Sequence, residues 1–266
     1  MRINANAKIN LSLDVIGKRE DGYHEIETVF QAIDLYDRVT VEPAGHCAKD
    51  SAGFLSSGRF VPEMSAEDNL AMKALKEAKK AFGREDEVCR ISIEKNIPLA
   101  GGLAGGSADA AAVLTALSKI WDVPWEEMMP IASVLGSDVP FCLASQNGHH
   151  CAVGRGRGEI LEYIEPVWGR VALKQSDFSV KDKTAAVYKA LIPADYMVKY
   201  DIASFMAATT LEEKIRYMGN HLQPALERLS GKKEDMILCG AGPTYFKFDE
   251  TGEYETIVST THRLNL

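Results

Sequence analysis

Lys95-Asn96-Ile97-Pro98-Leu99-Ala100-Gly101-Gly102-Leu103-Ala104-Gly105-Gly106-Ser107-Ala108-Asp109 is the stretch from which the rest of this 266-residue chain is read. Four glycines fall within the six residues 101–106. Upstream, Cys89, Ile91 and Ile93 alternate with polar residues and predict a strand over 88–95. Downstream, Ala110, Val113, Leu114, Leu117 and Trp121 keep helical spacing and predict a helix over 107–121. Glycines permit close backbone approach, and the first N–H groups of a helix lack internal partners. A strand, glycine loop and helix start therefore suit a nucleotide's phosphates, although a tight structural turn has the same appearance. No Gly-Lys-Ser/Thr follows the loop and no G-x-G-x-x-G occurs, so neither a Walker loop nor a dinucleotide fingerprint is present.

Working outward, residues 2–15 alternate strictly: Ile3, Ala5, Ala7, Ile9, Leu11, Leu13 and Val15 against Arg2, Asn4, Asn6, Lys8, Asn10, Ser12 and Asp14. The period of two predicts a strand with one buried face, which puts Lys8 on a solvated face. Gly17 to Gly22 reads as a charged hairpin turn, and Tyr23-His24-Glu25 leads a second strand to Val41. Residues 43–66 read as short strands or an irregular loop. Ser65 and Asp68 have capping-box spacing ahead of a helix up to Gly83. A second helix is expected from about Trp125 to Gly136. Gly136-Ser137-Asp138-Val139-Pro140-Phe141 reads locally as a tight turn carrying one acid. A second glycine cluster, Gly154-Arg155-Gly156-Arg157-Gly158-Glu159, reads as a hairpin turn whose arginines also suit phosphate. Further on, a strand is expected at 170–174 and helices near 182–191, 211–218 and 221–229. A strand at 236–239 enters a third glycine turn, Gly240-Ala241-Gly242-Pro243-Thr244. A helix or strand near 253–260 closes the chain. Mixed helices and strands about a boundary near 150–165 indicate α+β and two lobes.

Composition sets limits. The net charge of −8 argues against a non-specific nucleic-acid binder. Five cysteines, Cys47, Cys89, Cys142, Cys151 and Cys239, lack C-x-x-C spacing, which argues for reduced thiols rather than a disulfide framework or zinc site. No apolar run reaches the roughly 18–20 residues of a membrane span, and no signal-peptide pattern opens the chain. The expectation is a cytoplasmic protein without nucleic-acid or membrane partners.

Three motifs in order resemble the GHMP kinase superfamily: Ala7-Lys8-Ile9-Asn10-Leu11, Pro98 through Ala111, and Cys239 through Thr244. Asp21-Gly22-Tyr23-His24-Glu25, Gly136 through Phe141 and Gly154 through Glu159 narrow the resemblance. They point to the branch that phosphorylates 4-diphosphocytidyl-2-C-methyl-D-erythritol. The resemblance implies a lobe like ribosomal protein S5 domain 2 over 1–153 and a ferredoxin-like lobe over 154–266. It implies ATP as phosphoryl donor with Mg²⁺, and a small-molecule substrate carrying a cytidine diphosphate group, in the non-mevalonate route to isoprenoids.

By the same resemblance, Lys8 and Asp138 are the catalytic pair. Pro98, Gly101, Gly102, Leu103, Ala104, Gly105, Gly106 and Ser107 bind the ATP phosphates, with Ser107 also a candidate for Mg²⁺. Asn69, Leu70 and Lys95 lie at the nucleotide. Asn10, Tyr23, His24, Asp138 and Tyr188 hold the substrate, and Gly240, Ala241 and Gly242 form the third motif. Ala104, Ala108, Cys239 and Ala241 depart from the Gly or Ser usual there. Three other readings stay open: a mevalonate- or homoserine-type kinase, a non-catalytic nucleotide-binding relative, and a nicotinamide-dependent oxidoreductase. Monomer and homodimer are both compatible with the sequence.

Overall fold

The computed structural model describes residues 1–44, 49–65, 68–196, 200–249 and 257–260. The elements of the first half are β1 (Arg2–Lys18), β2 (His24–Ala44), β3 (Ser51–Phe54), α1 (Leu70–Ala81), β4 (Val88–Glu94), α2 (Gly105–Trp121), α3 (Met129–Leu135), α4 (Val139–Ser145), β5 (Cys151–Arg155) and β6 (Ile160–Tyr163). Then follow β7 (Arg170–Gln175), α5 (Lys183–Lys189), α6 (Ile202–Ala207), α7 (Leu211–Ile215), β8 (Gly219–Asn220), α8 (Leu222–Ser230), β9 (Ile237–Leu238), β10 (Thr244–Phe248) and β11 (Ile257–Ser259). One sheet runs β3-β4-β2-β1-β8, with β5 paired to β2 and β6 to β5. The other runs β11-β7-β10-β9.

The expected α+β architecture is present, with two sheets. The division expected after residue 153 falls inside the β5–β6 hairpin, whose strands both belong to the first sheet. Strand β8, from the second half, pairs in parallel with β1 through Ser12↔Gly219 and Leu13↔Asn220. β1 accordingly serves both cores. Ile3 through Leu11 pack in the first, while Leu13 and Val15 pack with Ala172, Val187 and Leu226 in the second.

That double role corrects the expected solvated face. Asn6, Lys8, Asn10, Ser12 and Asp14 are all buried. Buried polar groups need partners, and all of these side chains except the Ser12 hydroxyl have them. Asn6 Nδ2 donates to the Ile33 carbonyl at 2.9 Å. Lys8 Nζ donates to Asn10 Oδ1 at 2.7 Å, and Asn10 Nδ2 donates to Thr28 Oγ1 at 2.9 Å. Thr28 passes its own proton to the Ser12 carbonyl at 2.6 Å. Asp14 accepts from the Tyr200 N–H at 3.1 Å and pairs with His221 at 3.2 Å.

Helix α2 is buried along nearly its whole length, with Ala110, Ala111, Ala112, Val113 and Leu114 fully enclosed. A helix apolar on every side belongs inside a protein, and its small side chains let β1, α1 and α4 close around it. α1 begins one turn later than the capping-box spacing suggests. Ser65 and Asp68 do bond each other, at 2.7 Å, but Asn69 caps the helix by accepting from the Ala71 N–H at 2.9 Å. The segment after Asp138, expected as a turn, is the helix α4, with Pro140 in its first turn where a missing N–H costs nothing. The last element among the described residues is the strand β11; the predicted start, 253–256, lies outside them. Cys89, Cys142, Cys151 and Cys239 are buried free thiols, and Cys47 lies outside the described residues. Among the described residues no helix is long and apolar enough to cross a membrane.

A buried ionic triad pins the start of the glycine stretch. Lys95, just after β4, donates to Asp37 of β2 and to Asp109 of α2, the latter at 2.7 Å. Asp37 also accepts the Asn96 and Ile97 N–H groups, at 2.5 and 2.8 Å. Asp109 Oδ1 has no hydrogen-bond partner. Burial and the neighbouring Asp37 charge therefore push the Asp109 carboxyl up to about 8, against the pull of Lys95. Burial works against the Lys95 charge, but Asp109 and Asp37 outweigh it and hold that ammonium above its usual range.

Removing the cation strands the buried Asp37 carboxylate and takes a donor from Asp109. Lys95→Met is expected to cost about 3–5 kcal/mol in urea unfolding, and Asp109→Asn about 1 kcal/mol or less. The folded chain holds the Asp109 proton more tightly than the unfolded chain does. Its stabilisation is thus complete below the ordinary carboxylate value and is lost as pH rises toward about 8. Asp109→Asn should flatten that decline.

Candidate active site

The glycine loop meets the third glycine motif backbone to backbone. The Thr244 N–H donates to the Gly101 carbonyl at 3.1 Å. A Cβ on Gly102, whose φ is +83°, would sit 2.1 Å from the Cys239 carbonyl oxygen, and one on Gly101 would sit 2.8 Å from Thr244 Oγ1. Asn220 of β8 holds the motif from behind, donating to the Leu238 and Gly240 carbonyls at 2.8 Å each. These glycines are needed for the junction between the two halves as well as for any ligand. Ala104, expected to stand where glycine is usual, has φ +60° at the start of α2, a left-handed conformation that alanine adopts at a cost.

Lys8 joins this junction. Its N–H donates to the Leu103 carbonyl at 3.1 Å, so the middle of β1 is tied to the loop. Its ammonium lies 3.4 Å from Asp138 Oδ2; the lysine side chain is 3 % exposed and the aspartate 34 %. The Phe30 ring lies 5.4 Å from the ammonium. Asp138 sits at the head of α4, yet its side chain makes no capping bond and faces Lys8 instead. The structure thus brings together Lys8, Asn10, Asp138, the glycine loop and Gly240, which are far apart in the chain.

A ring pair lies beside this centre. His24 and Tyr188 stack with centroids 4.8 Å apart and planes at 25°. Burial, then the Lys18 charge, pushes the His24 imidazole below its usual range, which favours a neutral ring with one donor and one acceptor. Burial raises the Tyr188 phenol, and the Asp138 charge adds to the rise, which places Tyr188 within electrostatic reach of the acid. Tyr23 is not in that stack. Its ring is 55 % exposed, with the Arg157 guanidinium 5.0 Å from its centroid.

Other expected site residues are placed differently. Lys95 is buried beneath the loop, its ammonium 3.2 Å from where a Gly105 Cβ would be, and is occupied by the two carboxylates. Asn69 spends its side-chain oxygen on capping α1, and Leu70 opens that helix. Pro98 is half-buried against Gly101, and Ser107 is half-exposed in the first turn of α2. The arginines of the second glycine cluster are paired: Arg155 with Glu27 and Glu162, Arg157 with Glu159. A residue not singled out by sequence also reaches the loop. Lys183, the first residue of α5, donates its Nζ proton to the Ala100 carbonyl. A lone lysine at a helix start has no local signature that distinguishes it from any solvated lysine.

Comparison with known proteins follows this geometry. The GHMP kinases N terminal domain family matches residues 69–146. The chain is 36 % identical over 267 residues to a 4-diphosphocytidyl-2-C-methyl-D-erythritol kinase of Clostridium botulinum, covering 93 % of this chain and 90 % of that protein. It is 43 % identical over 269 residues to the protein of the same name from Thermoanaerobacter sp., covering 94 % and 88 %. The chain belongs to the 4-diphosphocytidyl-2-C-methyl-D-erythritol kinase family. A crystal structure of 4-(cytidine 5'-diphospho)-2C-methyl-D-erythritol kinase superposes with a TM-score of 0.74 at 31 % identity, covering 94 % of this chain and 90 % of that one. Methanococcus jannaschii mevalonate kinase, at 11 % identity and a TM-score of 0.66 over 99 % and 98 % of the two chains, shares the fold. Membership of a kinase family removes the oxidoreductase reading.

Two loop substitutions should move stability in opposite directions. Ala104→Gly relieves a left-handed alanine and is expected to stabilise by about 0.5–1 kcal/mol, after allowance for glycine's greater unfolded-state entropy. Gly102→Ala, which forces a Cβ onto the Cys239 carbonyl, is expected to destabilise by about 3 kcal/mol. Chemical denaturation of both variants checks the pair.

Proposed function

We propose that this protein transfers the γ-phosphoryl group of ATP to the 2-hydroxyl of 4-diphosphocytidyl-2-C-methyl-D-erythritol, releasing ADP. The observation that carries this reading is the Lys8–Asp138 pair, 3.4 Å apart beside the glycine loop and next to a stacked pair of rings. Phosphoryl transfer asks for positioning and charge stabilisation more than for covalent chemistry. The glycine loop and the start of α2 present backbone N–H groups to the nucleotide's phosphates. The substrate hydroxyl oxygen attacks the γ-phosphorus while the bond from that phosphorus to the β,γ-bridging oxygen breaks. Asp138 accepts the hydroxyl proton. Lys8 orients Asp138 through their ion pair and offsets negative charge on the group in flight. A carboxylate suffices as acceptor because the proton leaves late in a loose transition state.

His24, Tyr188 and Tyr23 account for the cytidine end. A neutral imidazole offers complementary donor and acceptor atoms to a pyrimidine edge, and an aromatic face offers stacking. Among the described residues no group of three or more His, Cys, Asp or Glu is placed to hold a metal. The Ser107 hydroxyl, in the first turn of α2 beside the glycine loop, would be the protein's contact to a Mg²⁺ arriving with ATP. When bound, the ion offsets charge on the β- and γ-phosphates. The Lys8–Asp138 ion pair, with Lys8 buried and held by Asn10, supports an active enzyme over a non-catalytic nucleotide binder.

The test offers the purified protein ATP with the cytidine diphospho-substrate, mevalonate or homoserine in turn. Phosphorylation of the first alone is expected, with turnover lowered about 10²–10⁴-fold in Asp138→Asn at saturating ATP. Phosphorylation of mevalonate or homoserine and not of the first, or wild-type turnover in the variant, would contradict the reading.

A further inference from the structure

Helix α5 reaches two parts of the site at once. Tyr188, near its end, stacks on His24, and Lys183, at its start, reaches the glycine loop. Five residues separate them, about 7.5 Å along a helix axis. One rigid element from the second half of the chain therefore spans the distance between the ring pair and the loop.

Lys183 is an unusual cation. Its ammonium carries three N–H donors, and the bond in evidence for it runs to a neutral acceptor, the Ala100 carbonyl. Among the described residues no carboxylate lies within ion-pair distance of it, unlike Lys95 or Lys79. The charge that acts on it, Lys8, is of its own sign. Burial first, then Lys8, pushes the Lys183 ammonium down to about 8. Two ammonium groups facing one region beside a glycine loop repel each other, and a polyanion between them reverses the sign of that interaction.

We propose that Lys183 is a phosphate-binding residue, whose ammonium, carried by α5, holds a phosphate oxygen of ATP over the glycine loop opposite Lys8. This rests on the kinase reading and extends it. In a loose phosphoryl-transfer transition state charge spreads over three equatorial oxygens, and a single ammonium already shared between Asn10 and Asp138 meets few of them. A second cation from the other lobe completes the set. The contact to the Ala100 carbonyl then marks the position from which Lys183 turns toward the nucleotide.

The experiment measures dissociation constants for ATP and for adenosine, which lacks phosphates, on wild type, Lys183→Met and Lys189→Ala. Lys189 is exposed at the far end of the same helix. Expected for Lys183→Met is a loss of ATP affinity of about 10–100-fold, the range for a hydrogen bond to a charged group. Adenosine binding should stay within about twofold, and Lys189→Ala should match wild type for both ligands. Unchanged ATP affinity in Lys183→Met, or equal losses for ATP and adenosine, would overturn the proposal. Acceptor turnover is not read in this experiment. A wild type that binds ATP through Lys183 but phosphorylates none of the three acceptors would refute the substrate reading and leave this one standing.

Discussion

A buried ammonium is the constraint on which the rest of this structure depends. Lys8 is 3 % exposed, and a charge so enclosed is tolerated only with good partners. Asn10 Oδ1 at 2.7 Å and Asp138 Oδ2 at 3.4 Å supply them. Asn10 is itself fixed through Thr28 to the Ser12 carbonyl. Lys8, Asn10, Thr28 and the Ser12 carbonyl are thus a chain of hydrogen bonds in which each member orients the next. Such a row is costly when any member is left unsatisfied and rigid when all are paired. Rigidity at this point serves a reaction whose rate depends on placement.

The same strand explains why the two halves act as one body at the site. β1 packs its early residues in one core and Leu13 and Val15 in the other. β8 joins it edge to edge, and Asn220 of β8 grips the third glycine motif. That motif presses on the first glycine loop so closely that Gly102 has no room for a Cβ. Below the loop, the Asp37–Lys95–Asp109 triad ties β2, the end of β4 and α2 together. The glycine loop is therefore clamped from the side by the second half and from beneath by a buried ionic cluster.

How much of this was legible depends on what each pattern reports. The β1–β2 hairpin, α1, α2 and the β5–β6 turn were readable, because period, glycine placement and turn residues are local quantities. The burial of Lys8 was not, since alternation shows that a face is polar and says nothing about what covers it. Asp138 reads as a turn former or helix cap because it follows Gly136-Ser137; it does head the helix α4, with Pro140 in the first turn, but its side chain faces Lys8 instead of capping. Lys95 enters the nucleotide set through the family resemblance alone. Its two carboxylate partners lie 58 and 14 residues away, so no local signal reveals them. The resemblance to a kinase family carried Lys8, Asp138 and the ring residues into one site; spacing alone left them scattered. Lys183 escaped both kinds of reading.

The central claim is that Lys8 and Asp138 act as a single unit on the transferred group. A double-mutant cycle on turnover at saturating ATP and substrate measures this directly, using Lys8→Met, Asp138→Asn and the double variant. If the pair acts as a unit, the double variant loses little more than the worse single variant, within about threefold. Losses that multiply, with the double variant falling by the product of the two single effects, would show independent roles and contradict the account.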